Sequence, residues 1–271
     1  MREIAGRRVL ITGGAGGLGH AMARRFAAEG AELILTDVVE ATLDDMVADF
    51  ERRGVACRGY VVDVTDLAAI ASLRERVHAE AGPVHVLVNN AGIVHGGAFL
   101  EVPVEKHLRT YRVNVEGVVA MTHAFLPDLV AADEGHLVNV ASASGFVGLP
   151  FGSTYASSKW AVLGFSESLE LELDLQGHRH VHVTTVCPSY VSTGLFDGAR
   201  PPLMTSLLTA DRLADRIRDA VLANRRFVRT PWLVAVTPFL KGVLPFPIFY
   251  RIAAILGVST SMTDWRGRKN A

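Results

Sequence analysis

The chain has 271 residues, of which 49% are hydrophobic and 20% charged, and its formal net charge at pH 7 is −1. That length accommodates one large α/β domain or two small ones, and the balanced charge gives no general attraction to nucleic acid. The two cysteines, Cys57 and Cys187, are too few for a disulfide framework and suit a reducing compartment.

The N-terminus enters an apolar strand within ten residues and shows no signal-peptide core. No uninterrupted apolar run reaches the roughly 20 residues that a membrane-spanning helix needs. We therefore expect a soluble, cytoplasmic protein.

The first predicted strand, residues 8–12, leads into a glycine-rich turn and then into a helix. This order creates an anion site, because absent side chains let the backbone approach a pyrophosphate and the helix N-terminus supplies free N–H groups. The candidate contacts are Gly13, Gly17, Leu18 and Gly19. A glycine cluster alone can also mark only a tight turn.

Asp37 ends the second predicted strand, residues 31–36. Its carboxylate can accept hydrogen bonds from both ribose hydroxyls of an adenosine, and it repels a 2′-phosphate. Val38 and Val39 follow, with no arginine to neutralise such a phosphate. The pattern predicts NAD as the cofactor, the alternative being an acid that caps the next helix.

Strands and helices continue to alternate. Helices are predicted over 41–53 and 66–81, a third strand over 57–62, and a fourth from Val84 to an Asn-Asn-Ala-Gly run. Four such units in succession imply right-handed crossovers. We therefore predict an α/β fold with a doubly wound parallel sheet, a three-layer α/β/α Rossmann fold.

Residues 104–131 are predicted to form one long helix with Asn114 inside it. Asparagine is a poor mid-helix residue, because its side chain competes for backbone hydrogen bonds. A functional role would explain its presence, and a surface position is the alternative.

The fifth predicted strand, residues 137–140, ends near Ser142, and a later helix carries Tyr155 and Lys159. The four-residue spacing places the phenol and the ammonium on one helix face, one turn apart. A cation favours the phenolate, which moves a group that normally titrates near ~10 toward the range of a general acid/base. Ser142 can hydrogen-bond the reacting oxygen. For the Tyr/Lys pair alone, chance is the alternative.

Three histidines, His178, His180 and His182, alternate before the sixth strand. Such a row can bind zinc, but no fourth ligand is apparent and the segment is a polar turn. The interpretation is a solvated strand edge, and no metal is expected.

These motifs resemble the short-chain dehydrogenase/reductase family, in its short three-layer branch, over about residues 7–195. Tyr155-Ala-Ser-Ser-Lys159 matches the family's Tyr-x-x-x-Lys, and Ser142 falls where its catalytic serine falls. The glycine spacing of the first turn also matches. The resemblance implies catalytic roles for Ser142, Tyr155, Lys159 and Asn114, with Asn114 holding a water that links Lys159 to solvent.

The resemblance also implies further cofactor contacts. The residues after the third strand match the adenine contacts, the Asn-Asn-Ala-Gly run matches the cofactor floor, and residues 188–193 resemble a Pro-Gly-x-Val-x-Thr motif that contacts the nicotinamide, with Ser189 in place of glycine. Lys159 also binds the nicotinamide ribose in the family. The implied contacts are Asp63, Val64, Asn90, Ala91, Gly92, Tyr155, Lys159, Pro188, Val191 and Thr193.

Two segments lie beyond these motifs. Residues 194–209, rich in Gly, Pro and Leu, are predicted to form a mobile substrate lid. Residues 225–271 hold eight Arg or Lys against one acid, a charge of +7, whereas the rest holds 19 against 27, a charge of −8. We divide the chain into a catalytic domain, residues 1–224, and a C-terminal extension of the same domain, residues 225–271.

Between Trp232 and Val258 the extension is almost wholly apolar, and prolines with Gly242 divide it into short helices that cannot span a bilayer. Residues 261–268 resemble the tail of the family branch that handles retinol and steroids. Two interpretations stay open. The extension caps the substrate pocket or a subunit interface, or it forms a basic, aromatic-rich surface that rests peripherally on an anionic membrane.

The sequence thus predicts an NAD-dependent oxidoreductase that interconverts an apolar, lipid-, retinoid- or steroid-like alcohol and its ketone or aldehyde. Tyr155 is expected to take the hydroxyl proton while Lys159 lowers its pKa. We also expect a homodimer or homotetramer. The alternatives are a ketoacyl-thioester reductase, which Asp37 disfavours because such reductases mostly use the phosphorylated cofactor, and a non-catalytic cofactor-binding regulator.

Overall fold

The computed structural model describes residue 1 and residues 3–267. Its strands are β1 (Arg8–Thr12), β2 (Glu32–Asp37), β3 (Cys57–Val61), β4 (Val86–Asn89), β5 (Gly135–Val140), β6 (Val181–Pro188) and β7 (Phe227–Thr230). All pair in parallel, in the order β3-β2-β1-β4-β5-β6-β7. The predicted doubly wound sheet is confirmed.

The α-helices cover both faces of this sheet. They are α1 (Gly17–Ala28), α2 (Glu40–Arg52), α3 (Leu67–Glu80), α4 (Val104–Tyr111), α5 (Gly117–Ala131), α6 (Ser153–Leu175), α7 (Ala210–Leu222), α8 (Trp232–Val243) and α9 (Phe246–Ile255).

The core lies in two layers because successive strand residues point to opposite faces. In β1, Val9 and Ile11 pack with Phe26 of α1, whereas Leu10 packs with Phe125 of α5 on the other face. Strands buried on both faces are near-continuous apolar runs, as in every residue of β4 up to Asn89.

The strand order reverses direction between β1 and β4. From β1 the chain adds β2 and β3 on one side, and it then crosses back to place β4 on the other. At such a switch point the loops after the two strands separate and leave a crevice at their carboxyl ends, which is the usual ligand position in this architecture.

One predicted helix differs from the structure. Residues 104–131 do not form one α-helix, because a π-helical turn, Arg112–Glu116, separates α4 from α5. An extra residue inserted into a helix shifts its register, and such turns cluster at functional sites. Asn114 lies inside this turn.

The C-terminal extension begins as part of the main sheet, because β7 pairs with β6. After Thr230 the described residues leave the sheet, and they include the two short helices α8 and α9 that the prolines predicted. In the part of the chain that is described, no helix has the length and hydropathy needed to cross a membrane. Arg268 and Lys269, counted in the predicted basic tail, lie outside the described residues.

Candidate active site

One cavity of about 790 Å³ opens at the carboxyl ends of the strands. It gathers all but two of the predicted site residues: Gly13, Gly17, Leu18, Asp37, Asp63, Val64, Asn90, Ala91, Gly92, Ser142, Tyr155, Lys159, Pro188, Val191 and Thr193. The other two, Gly19 and Asn114, are buried behind its wall.

The glycine turn after β1 packs too closely on neighbouring backbone to accept a side chain at Gly13 or Gly19. A Cβ on Gly13 would lie 3.0 Å from Cα of Ala91, and a Cβ on Gly19 would overlap the Gly13 carbonyl oxygen. The Asn90 amide donates to the Thr12 and Gly13 carbonyls at 2.9 and 3.0 Å, which ties β4 to the turn. The turn therefore fits the close approach of a pyrophosphate to the N-terminus of α1.

Asp37 is fixed at the edge of this turn. Its carboxylate accepts hydrogen bonds from the backbone N–H of Ala15 at 3.0 Å and of Val38 at 2.8 Å. The N-cap of α2 is Val39, without a side-chain cap, so Asp37 does not have the alternative capping role. Its position in the cavity fits a carboxylate that reads ribose hydroxyls.

Asp63 lies farther along the same wall. Its carboxylate accepts hydrogen bonds from the Thr65 backbone N–H at 2.9 Å and from the Thr65 hydroxyl at 2.8 Å. The guanidinium of Arg109, on α4, is 3.9 Å away. These contacts fix the Asp63 carboxylate in the cavity wall, where the adenine contacts are predicted.

Burial dominates the electrostatics of Tyr155 and Lys159. The Lys159 Nζ donates to the Val140 carbonyl at 2.8 Å and lies 5.7 Å from the centroid of the Tyr155 ring. Burial lowers the pKa of Lys159 to about 8. Burial also raises the pKa of Tyr155, and a hydrogen bond with Ser142 opposes that rise. The predicted lowering of the Tyr155 pKa by Lys159 is therefore not seen in this structure, where the lowering influence is Ser142.

Ser142 caps a short 3-10 turn, Ala143–Gly145, that follows β5. Its hydroxyl oxygen accepts the backbone N–H of Ser144 at 3.2 Å. Since that bond uses only a lone pair, the hydroxyl proton stays available for the phenol oxygen of Tyr155 or for a substrate oxygen beside it.

Asn114 is fully buried, which excludes the surface alternative. Its side-chain amide exchanges two hydrogen bonds of 2.9 Å with the backbone of Ile93 and donates a third to the Ser158 hydroxyl at 3.0 Å. A Cβ on Gly92 would lie 3.4 Å from the Asn114 oxygen and 3.5 Å from the Lys159 Nζ. Asn114 and Lys159 thus flank the same glycine, and the predicted water between them stays a prediction.

The segment after β6 closes the cavity over the glycine turn. The Ser189 backbone N–H donates to the Thr230 carbonyl at 2.9 Å, which extends the pairing with β7 past Pro188. The side chain of Thr193 lies 3.4 Å from the place a Cβ on Gly17 would occupy. Residues 188–193 therefore lie at the cofactor side of the cavity, although serine replaces the family's glycine at position 189.

One of the two interpretations of the C-terminal extension was a cap over the substrate pocket, and apolar side chains of the extension do line the cavity. Most of the apolar wall comes from the extension, with Leu233, Leu240, Leu244, Phe249, Ile252, Leu256 and Trp265. The predicted lid, residues 194–209, is hydrogen-bonded to the same segment through Arg200 to Ser261 at 2.8 Å and Leu203 to Leu256 at 2.7 Å. In the sequence, the apolar run after Trp232 was the signal for an apolar wall. Which of its residues contact the site depends on the tertiary structure.

Of the three histidines, His178 and His180 lie just before β6 and His182 is its second residue. The imidazole of His180 hydrogen-bonds the Val130 carbonyl at 2.9 Å, and that of His182 lies 3.4 Å from Glu134. Among the described residues, no three His, Cys, Asp or Glu side chains are grouped as metal ligands.

A family model described as short chain dehydrogenase matches residues 7–203. Epidermal retinol dehydrogenase 2 of Mus musculus is 34% identical over 271 residues, which is 99% of this chain and 88% of that protein. 17-beta-hydroxysteroid dehydrogenase 13 of Homo sapiens is 32% identical over 244 residues, or 90% and 81% of the two chains. The similarity therefore includes nearly all of the C-terminal extension in the first of these relatives.

Two solved structures share the fold. A short-chain dehydrogenase/reductase from Burkholderia phymatum in complex with NAD superimposes with a TM-score of 0.82 at 28% identity, over 89% of this chain and 95% of that one. An alcohol dehydrogenase from Thermococcus sibiricus complexed with 5-hydroxy-NADP gives a TM-score of 0.71 at 26% identity, over 79% and 90%. Known structures of this fold therefore hold either form of the cofactor.

Proposed function

The chain belongs to the short-chain dehydrogenase/reductase family, and we propose that it uses NAD to interconvert an apolar alcohol and its ketone or aldehyde. One observation carries the proposal. Ser142, Tyr155 and Lys159 line the same cavity as the apolar side chains of the C-terminal extension. A group able to move a proton thus shares a single space with a wall suited to a hydrophobic substrate.

Tyr155 is proposed as the general acid/base. In the direction of oxidation Tyr155 acts as the phenolate: having lost its own proton to solvent, its oxygen takes the proton of the substrate hydroxyl, while the Ser142 hydroxyl holds the substrate oxygen. Bound NAD supplies the hydride acceptor. Lys159 carries a positive charge near the Tyr155 phenol and the Ser142 hydroxyl. Its hydrogen bond to the Val140 carbonyl fixes the position of the ammonium. When substrate and cofactor fill the cavity they exclude water, and the lower local dielectric constant strengthens the interaction between the Lys159 charge and Tyr155.

Asp37 supports NAD over NADP. Its carboxylate is held by backbone N–H groups at the edge of the glycine turn, and the next two residues are Val38 and Val39. A 2′-phosphate there would meet a negative charge without a compensating cation from these neighbours.

The cavity wall supports an apolar substrate of lipid, retinoid or steroid type. Phe249 is buried against the cavity, and Leu240 and Leu244 line it from α8 and the residue after it. Two relatives are named as retinol and 17-beta-hydroxysteroid dehydrogenases, which supports the same substrate class. The test is NADH formation with a panel of apolar alcohols, small polar alcohols and hydroxyacyl thioesters. Turnover only of the thioesters would favour the ketoacyl reductase.

The outer face of α8 and α9 supports a peripheral contact with an anionic membrane. Large side chains of both helices are exposed to solvent, with Phe239 70%, Phe246 71% and Ile255 76% accessible, and Arg251 of α9 is exposed as well. Helices that are apolar on both faces bury one face against the protein and leave the other for another apolar environment. An apolar substrate would then enter the cavity from the lipid.

The electrostatic part of this contact is smaller than the charge of the extension implies. Arg229 stacks on the Phe227 ring at 3.9 Å, and Lys241 lies 3.8 Å over the Trp160 ring. Both cations therefore face the protein. The proposed membrane contact thus depends mainly on the exposed apolar side chains. The expected homodimer or homotetramer stays a prediction.

A further inference from the structure

The 3-10 turn that follows Ser142 is anchored to α6. The indole Nε1 of Trp160 donates a hydrogen bond of 2.6 Å to the carbonyl of Ser144, the middle residue of the turn. Ser144 in turn donates its backbone N–H to the Ser142 hydroxyl. The position of the turn therefore sets the position of the proposed catalytic hydroxyl.

The C-terminal extension also contacts the same turn. The Lys241 Nζ, on α8, donates a hydrogen bond of 2.9 Å to the carbonyl of Phe146, the residue that ends the turn. Farther along the loop, the Gly148 backbone N–H donates to the phenol oxygen of Tyr250, on α9, at 3.3 Å.

Lys241 also contacts the other anchor directly, because its ammonium lies 3.8 Å over the ring of Trp160. The last carbonyls of a helical turn lack partners within it, and a charged donor satisfies them more strongly than a neutral one. A partly desolvated cation over an indole ring adds a further attraction. Lys241 therefore joins α8, α6 and the serine turn in one contact, although it does not line the cavity itself.

We propose that Lys241 is a positioning residue for the reaction, which fixes the turn that presents the Ser142 hydroxyl to the substrate oxygen. The inference rests on the proposed function, since it assumes that Ser142 contacts the reacting oxygen. It gives the C-terminal extension a part in the chemical step in addition to its part in the cavity wall.

The experiment compares Lys241→Met, which keeps most of the stem and removes the ammonium, with Lys241→Arg, which keeps a cationic donor. Arg225→Met, at an exposed cation of the same extension, is the control. We expect Lys241→Met to lower kcat by about tenfold, because a small displacement of an orienting group is costly. The Kd for NAD, measured by fluorescence quenching, should stay within about twofold. Lys241→Arg should restore most of kcat, and Arg225→Met should leave it unchanged.

A double-mutant cycle with Ser142→Ala separates positioning from general stability. If Lys241 acts through Ser142, Lys241→Met should add little to the loss already caused by Ser142→Ala. Independent losses that multiply in the double variant would overturn the inference and leave the proposed function intact. A fully active Ser142→Ala would instead contradict the proposed role of Ser142, and with it the inference.

A second variant keeps the inference testable if Lys241→Met does not fold. Trp160→Phe keeps an aromatic ring beneath the ammonium and removes the hydrogen bond to Ser144. It should lower kcat with little change in the Kd for NAD, and the loss should again be absent in a Ser142→Ala background. Wild-type kcat in Trp160→Phe, or a loss of NAD affinity equal to the loss in kcat, would overturn the inference.

Discussion

The Lys159 ammonium lies 5.7 Å from the centroid of the Tyr155 ring and donates its hydrogen bond to the Val140 carbonyl, not to the phenol. Burial acts on both groups, raising the pKa of Tyr155 and lowering that of Lys159 to about 8. Burial therefore favours the neutral phenol of Tyr155, whereas Lys159 still carries its charge near neutral pH. Proton transfer by Tyr155 thus depends on Ser142, on the charge that Lys159 keeps below its pKa, and on the groups that fill the cavity.

The pKa of Lys159 predicts a pH dependence of stability. Below about pH 8 both the folded and the unfolded chain carry this proton, and between about 8 and 10.5 only the unfolded chain does. Because the unfolded state then binds more protons, the contribution of this group to the free energy of unfolding increases with pH across that window.

Urea unfolding of the wild type and of Lys159→Met measures this contribution. The wild type should gain stability relative to the variant as the pH rises through the window. A difference in unfolding free energy that stays constant with pH would show that Lys159 titrates at its ordinary value.

Asp37 predicts the cofactor preference. The ratio of kcat/KM with NAD to that with NADP should be large, because a buried or half-buried like-charge contact costs several kcal/mol. Asp37→Ala should lower this ratio, mainly by weakening the binding of NAD. Asp45→Ala, at an exposed acid of α2, is the control and should change neither value. Equal kcat/KM values for the two cofactors in the wild type would contradict the proposal that Asp37 selects NAD over NADP.

Much of the site could be predicted because its residues follow strands. In a parallel sheet the carboxyl ends of neighbouring strands meet at one edge, so Asp37, Asn90 and Ser142 converge whatever the loop lengths between them. Tyr155 and Lys159 needed only the period of one helix. Local patterns with a fixed geometry were therefore sufficient for this part.

The remaining features depend on burial and on contacts distant in sequence. The spacing of Tyr155 and Lys159 indicates their proximity, but the pKa values depend on a burial that the spacing does not encode. In the sequence, Asn114 is the one indication of the π-helical turn. Its three hydrogen bonds form only when folding brings Ile93 and Ser158 next to it. The role of Lys241 likewise depends on a carbonyl 95 residues earlier in the chain.

Neighbouring residues at the end of α8 test the cavity wall. Leu244 lines the cavity, whereas Val243 is 58% exposed on the outside. Leu244→Trp should raise KM for bulky apolar alcohols by roughly tenfold, because pocket contacts of this size change discrimination by about that factor. Val243→Trp should leave KM unchanged. Equal effects of the two substitutions, or activity confined to small polar alcohols, would contradict the apolar-substrate assignment.

Vesicle binding tests the outer face of the extension. The chain should co-sediment with anionic vesicles, less so at high salt, because the apolar contact is assisted by screened charge attraction. The double variant Trp232→Ser, Phe246→Ser should lose binding, whereas Leu175→Ser, at an exposed leucine that ends α6, should keep it. Point substitutions are preferable to truncation at Arg229, because β7 belongs to the main sheet. No vesicle binding at low salt would contradict the membrane contact.

The two roles proposed for Lys159 predict that its loss affects cofactor binding and turnover together. Lys159→Ala should weaken both NAD binding and turnover, because one side chain serves the ribose and the proton transfer. With NAD and substrate in the cavity, Ser142, the charge of Lys159 and the bound groups should together offset the effect of burial on the pKa of Tyr155, so the pH–rate profile of the wild type should show a group that titrates well below ~10, the ordinary value of a phenol. A profile without such a group would leave Tyr155 without its proposed role.

The most direct test is NADH formation from an apolar alcohol by the wild type and by Tyr155→Phe, with the Kd for NAD measured on the same samples. The phenol oxygen is the only atom removed, so cofactor binding should be nearly intact while turnover falls by roughly 10²-fold or more. Near-wild-type turnover in Tyr155→Phe would contradict the proposed mechanism.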